Sequence, residues 1–189
     1  MSIDLKKGGS INLQKEKPGI SKITVGLGWD VSEGASPHQF DCDASVFVLG
    51  ENGKLLSDEY FVFYNNLKSP DGAVTHNGDN RTGVGEGDDE TINIELSKLN
   101  PQAAQIVFAI TIDQAEERKQ DFGMIANSFA RVYNTATDEV LCQYLLDEKF
   151  PGTNALIIGR FYKSGNEWIF EAYDLAYQDG LGGLVEYYQ

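Results

Sequence analysis

Residues 71–90 read Asp-Gly-Ala-Val-Thr-His-Asn-Gly-Asp-Asn-Arg-Thr-Gly-Val-Gly-Glu-Gly-Asp-Asp-Glu and hold the side chains best suited to chemistry. Asp71, Asp79, Glu86, Asp88, Asp89 and Glu90 are opposed by Arg81 alone. Gly72, Gly78, Gly83, Gly85 and Gly87 let the backbone turn tightly and direct carbonyl oxygens inward. Two carboxylates about 4 Å apart repel by roughly 4 kcal/mol at an effective dielectric near 20. A compact loop of this kind therefore needs a cation, or it splays into solvent. Calcium suits it, since that ion accepts about 6–8 oxygens in an adaptable geometry, whereas magnesium takes fewer carboxylates and keeps more water. The segment lacks the EF-hand register. The same composition also describes a plain solvated loop.

The elements that must position these acids read as strands. Ile23, Val25, Leu27 and Trp29 alternate with Thr24, Gly26 and Gly28, the period of a half-buried strand. Further strands are expected over 41–49, 59–64, 91–96, 106–112, 129–133, 140–146, 155–163 and 167–173. The run 106–112 is continuously apolar, as a strand buried on both faces would be. Asn52-Gly53, Ser69-Pro70-Asp71-Gly72 and Ser164-Gly165-Asn166 supply turns. Residues 113–128 are the best helical stretch, with Asp113 and Glu116 as a capping-box variant and Gly123 as a break. Gly180–Gly183 reads as a flexible tail or short cap. Many short strands with Gly- and Asn-rich turns predict a single domain over 1–189, mainly all-β, a β-sandwich of two sheets with a few short helices. Asp41 and Asp43 lie two apart and share a strand face, with Cys42 opposite. Asp30 ends its own strand. These three are either further ligands or ordinary strand-end caps.

The chain has 189 residues and a formal charge of −14, from 15 Lys and Arg against 29 Asp and Glu. That sign disfavours nucleic acid, which is bound by neutralising phosphates. No stretch approaches the roughly 20 apolar residues of a membrane span, so no direct membrane insertion is expected. The first residues carry no apolar leader, so no secretion signal is expected. Cys42 and Cys142 read as reduced core thiols, and with His38 and His76 they show no zinc-ligand spacing. The two histidines read as structural or exposed. Nucleophile-elbow and phosphate-loop motifs are missing. The aromatics of Phe61-Val62-Phe63-Tyr64 read as core.

Taken together, the segments Val25-Gly26-Leu27-Gly28-Trp29-Asp30, Phe40-Asp41-Cys42-Asp43-Ala44 and Phe61-Val62-Phe63-Tyr64-Asn65-Asn66 resemble the TerD family of tellurite-resistance and general stress proteins. So do Ser69-Pro70-Asp71-Gly72, the run from Gly78 to Glu90, Arg160-Phe161-Tyr162 and Glu167-Trp168. Cys42 departs from the family's aliphatic residue, but it faces the core. The resemblance implies a calcium-binding β-sandwich of the bacterial cytoplasm, acting in resistance to tellurite and to phage, colicin and oxidative stress. It also implies assembly with other Ter proteins, including a membrane-embedded one that would recruit the chain to the inner membrane.

On this basis the chain is expected to be a non-enzymatic, calcium-binding stress-response module taking one or two Ca2+ ions. Asp71, Asp79, Asn80, Asp88, Asp89 and Glu90 are the expected central ligands. Asp41, Asp43 and Glu86 support them, Asp30 lies further out, and Thr82 and the loop glycines could add oxygens. Two other classes stay open: a two-metal phosphoryl hydrolase built on the same acids, and a calcium-dependent membrane or sugar adaptor.

Overall fold

The structure is a computed structural model and describes residues 2–31, 40–78, 87–146 and 148–189. Its strands are β1 (Ile3–Leu5), β2 (Ser10–Asn12), β3 (Lys22–Val31), β4 (Cys42–Leu49), β5 (Phe61–Val62), β6 (Val74–His76), β7 (Glu90–Glu95), β8 (Gln105–Ile112), β9 (Ile125–Asn134), β10 (Glu139–Leu146), β11 (Ala155–Ser164) and β12 (Glu167–Tyr177). Three short helices accompany them: α1 (Leu13–Glu16), α2 (Ala115–Arg118) and α3 (Gly180–Tyr188). The strands form two six-stranded sheets, ordered β1-β10-β9-β3-β7-β6 and β2-β12-β11-β8-β4-β5. Neighbours run antiparallel, except that β1 pairs with β10 in parallel. This is the mainly all-β sandwich expected from the turn spacing.

Alternation decides what faces inward. Ile23, Val25 and Leu27 of β3 meet Val46, Val48, Ile106, Phe108 and Ile110 across the interior. The other side of β8 and β4, with Val107, Ala109 and Phe47, forms a second apolar cluster closed by Leu184 and Tyr188 of α3. That second layer is why 106–110 carries no polar alternation; Thr111 is the one polar residue of the run and is buried too. Of the two expectations for 180–183, a flexible tail or a short cap, that layer selects the cap, as the start of the longer helix α3. Three of the nine α3 residues after its start or within it are poor helix formers by type, yet burial of Leu184 and Tyr188 overrides propensity.

Two further expectations need correction. The aromatic stretch 59–64 pairs only over Phe61–Val62, because Phe63 and Asn66 close a tight turn through mutual backbone bonds of 3.0 and 2.9 Å. Phe61 is core as expected and stacks between Phe47 and half-buried Phe63 at centroid distances of 4.7 and 4.3 Å, whereas Tyr64, also expected in the core, is exposed. The 113–128 helix shrinks to the single turn of α2. Gln114 and Lys119 take left-handed conformations at its two ends, so Asp113 does not cap it, and β9 begins at Ile125.

β1 and β2 were not foreseen. They lie on the outer edges of the two sheets, beside β10 and β12. The link between them is pinned by backbone bonds from Gly8 to Ala172 and from Ala172 to Gly9, and by Lys7 Nζ donating to buried Asp174 at 2.6 Å. Cys42 and Cys142 are free and buried, and burial pushes both thiols up, Cys142 to about 12. Among the described residues no helix is long and apolar enough to cross a membrane.

Candidate metal centre

The ends of β3 and β6 and the starts of β4 and β7 meet at one end of the sandwich. β7 pairs with β3 from Leu27↔Glu90 onward, and with β6 up to His76↔Ile92. Asp30, Asp41, Asp43, Asp88, Asp89 and Glu90 therefore gather at that end. Asp41, Asp43, Glu90 and Asp89 all lie close enough to Cys42 to add to the rise that burial imposes on its thiol. Asp79, Asn80 and Glu86 lie outside the described residues, as do Arg81, Thr82 and His38.

The three consecutive acids differ in environment. The Asp88 carboxylate lies on the outer face of the first sheet. Arg131 of β9 donates to its Oδ1 from Nε at 2.9 Å and from Nη2 at 2.7 Å, and Tyr133 Oη donates to Oδ2 at 3.2 Å. Burial first, then the Asp88 charge, pushes the Tyr133 hydroxyl up to about 12, so it stays a donor. The Arg131 guanidinium also packs 4.8 Å from the Phe129 ring centroid. Gly26 makes this possible, because any Cβ there would collide with the Asp88 carboxyl.

Glu90 is buried and turns into the sandwich. Its Oε2 accepts the Ala44 N–H at 2.7 Å and contacts His76 Nε2 at 3.2 Å, while the same His76 nitrogen lies 3.2 Å from the Ala44 carbonyl. β5 pairs with β4 only at Val46 and Phe47, so among the described residues no strand lies beside Ala44 on that edge. The Glu90–His76 pair takes that strand's place. Gly78 N–H donates to His76 Nδ1 at 3.1 Å, which leaves the ring proton on Nε2. Burial pulls the His76 pKa down, but the Glu90 hydrogen bond and charge more than offset it, and the net shift is upward.

Asp89 stands between them, half-buried. Its Oδ2 accepts the Trp29 N–H at 2.8 Å. Burial pushes its carboxyl up, the Trp29 bond opposes this, and Asp30, Glu90 and Asp88 push it further up. Asp30 is exposed and accepts from Asn127 Nδ2 at 2.8 Å. Asp43 faces out of the second sheet, opposite Cys42 as alternation predicts. It lines a cleft of about 670 Å³ with Thr111, Asp113, Glu116 and Asp179. The Asp41 carbonyl accepts Asp113 N–H at 2.8 Å.

Asp71 is not among them. It sits at the far end of β6 and β7, beside Ala73, whose carbonyl accepts the Glu95 N–H. Five residues of strand, roughly 17 Å at the usual rise, separate that point from Glu90. Its Oδ1 accepts from Ser69 Oγ at 2.6 Å and Ala73 N at 2.9 Å, and its Oδ2 from Asn100 N at 2.8 Å. Asp71 closes the predicted turn, with Gly72 at φ 68°, and the structure separates it from the other acids.

The donors at the acidic end are hard oxygens, the set calcium prefers. Among the described residues, no three His, Cys, Asp or Glu side chains converge closely enough to hold an ion by themselves. The residues sequence reasoning missed are Arg131 and Tyr133, which hold Asp88, while His76, read as structural or exposed, is buried and structural and holds Glu90. One signal was present: Gly26 and Gly28 interrupt a strand of good β formers, and glycine there marks close approach by another group.

A family model described as the TerD domain matches residues 1–188. The chain belongs to the TerD domain family. General stress protein 16U of Bacillus subtilis (strain 168) is 45% identical over 188 residues, covering 100% of this chain and 97% of that relative. Tellurium resistance protein TerD of Serratia marcescens is 41% identical over 188 residues, covering 100% and 97%. A crystal structure of a telluride resistance protein (TerD) homologue from Streptomyces coelicolor A3(2) superposes with a TM-score of 0.68 at 21% identity, covering 88% of this chain and 96% of that one, and shares the fold. The family is thus one of tellurium-resistance and stress-response proteins.

Proposed function

We propose that this chain is a non-enzymatic calcium-binding module of the stress and tellurium response. The ion would be held at the acidic end of the sandwich, with Asp89 at its centre, Asp30 as a neighbouring carboxylate, and Asp41 and Asp43 at the start of β4 as supporting ones. Asp79, Asn80, Glu86 and main-chain carbonyls would complete the sphere. The observation that carries this reading is the gathering of strand-end carboxylates around Asp89, whose own charge is disfavoured by burial and by its acidic neighbours. A divalent cation reverses that penalty. Occupancy would cancel part of the local negative field and so alter how the end meets other Ter proteins.

The hydrolase alternative gains nothing from the site. Among the described residues, the Asp43 cleft is lined by carboxylates with no Lys or Arg to hold a phosphate ester. The deciding experiment is a calorimetric calcium titration, repeated in a large excess of magnesium. Saturable calcium heat that survives magnesium supports the reading; a flat titration would sink it.

A further inference from the structure

The run Ile106–Ile112 has one polar side chain, Thr111, which the metal reading leaves unused. Thr111 is 3% exposed, and among the described residues its hydroxyl makes no hydrogen bond. Valine has the same shape and would fill the position without burying a polar group. Thr111 lines the cleft of about 670 Å³ on the outer face of the second sheet. It is the cross-strand partner of Asp43, and the two form the cleft floor. One wall is the turn that enters α2, fixed by Asp113 N–H on the Asp41 carbonyl at 2.8 Å. The other is the start of α3, where Asn154 Oδ1 accepts the Gly180 N–H at 2.8 Å. Exposed Tyr64 adds an aromatic ring to the lining.

We propose that this cleft is a docking site for an arginine side chain presented by a partner protein. The inference does not draw on the calcium reading. Carboxylates line the cleft and no Lys or Arg does, so its occupant is a cation. Asp113 is engaged locally, by Gln114 Nε2 at 2.7 Å and by Arg118 at 3.9 Å. The side chains of Glu116 and Asp179 make no hydrogen bond or ion pair among the described residues. A bare metal ion fits poorly, because among the described residues no three ligating side chains converge, and the volume is that of a small-molecule site, about 300–1,000 Å³. A guanidinium fits better than an ammonium. Its planar fork of donors meets two carboxylates and a hydroxyl acceptor together, and its face stacks on a tyrosine ring. Exposed ion pairs are worth only about 0–1 kcal/mol each. A lone cation therefore gains little here, and useful affinity needs the further surface that a protein brings. The formal charge of −14 steers a basic partner towards the chain.

The test titrates the full chain, in excess chelator and about 0.15 M salt, with a labelled glycine-serine peptide carrying a pair of arginines. Its lysine and citrulline counterparts and spermidine are run beside it. Amide chemical shifts locate the binding and fluorescence anisotropy gives the affinity. The variants are Thr111→Val, Glu116→Gln/Asp179→Asn and a charge-matched control, Glu51→Gln/Asp138→Asn. Glu51 lies past the far end of β4, roughly 20 Å from Asp43 at the usual rise, and Asp138 lies in the β9–β10 turn at that opposite end. The arginine peptide is expected to shift the amides of Thr111, Glu116 and Gly180 and to bind more tightly than either counterpart. Glu116→Gln/Asp179→Asn should weaken it about 5- to 10-fold, the worth of two exposed ion pairs. Thr111→Val should weaken it about 3- to 10-fold, the worth of one hydrogen bond, with the melting temperature unchanged or raised. The control should change affinity by less than about 2-fold, because charges that far apart are screened.

A citrulline peptide that binds as well as the arginine one would overturn the proposal, as would no binding at all. Equal weakening by the control pair would mean that net charge alone attracts the peptide. Spermidine that shifts the same amides at equal affinity would make the cleft a polyamine site and overturn the protein partner. Wild-type affinity in Thr111→Val, or a lowered melting temperature there, would remove the hydroxyl from the site and overturn it too.

Discussion

β6 and β7 have an aspartate at each end, and the two are used in opposite ways. At one end Asp71 accepts three hydrogen bonds from neutral groups, two of them backbone N–H. At the other, Asp89 accepts one described backbone N–H and faces Asp30, Glu90 and Asp88. The same side chain is a staple where donors surround it and a strained charge where carboxylates do. Neighbours, and not residue type, separate a structural aspartate from a candidate ligand.

The contrast is easiest to break at Glu90. Glu90→Ala orphans the Ala44 N–H and removes the His76 partner, at roughly 1–3 kcal/mol for each buried group left unsatisfied. Chemical denaturation should show that loss equally in calcium and in chelator. Next is the calcium increment at Asp89. A ligand at about 100 times its dissociation constant adds roughly 2.7 kcal/mol to the native state, and Asp89→Asn should erase the shift between melts with calcium and with chelator. Asp71→Ala should cost about 1–3 kcal/mol through its unpaired donors while leaving calcium affinity untouched; a changed affinity would mean the two ends are coupled.

The smallest effect sharpens the comparison through pH. The Asp89 carboxyl titrates above its ordinary 3.8 in the metal-free fold, from burial first and then its acidic neighbours. The folded state thus holds this proton more tightly than the unfolded chain. That stabilisation is full below the unfolded pKa and is lost as pH rises through the folded one. In chelator at neutral pH, Asp89→Asn should therefore melt at or slightly above wild type, with the gap narrowing as pH falls towards 3.8. A widening gap would show that something other than charge burial separates the two.

Alternation in Ile23–Trp29 and Thr91–Leu96, and the apolar run Ile106–Ile110, made the sandwich legible, because burial imposes its pattern on a strand. The helix at 180–188 was not legible. Its glycines argue against helix, and only its contact with Phe47 and its neighbours selects it. The acids were legible as a set and illegible as individuals. Asp71 and Asp89 read alike in a Gly-rich stretch, and Arg131, which decides the fate of Asp88, lies 43 residues away. A strand's own sequence does not say which neighbour will lie across it.

The chain's first dozen residues deserve weight beyond their length. β1 and β2 cover the outermost strands of both sheets, and the crossing between them is fastened at Lys7, Gly8 and Gly9. They work as a hem. Cutting residues 1–12 would bare β10 and β12 together, two rows of unpaired backbone donors and acceptors on one side of the molecule. Such a product would keep its acids and most of its interior, yet it would have lost what keeps copies of the sandwich from growing into one another.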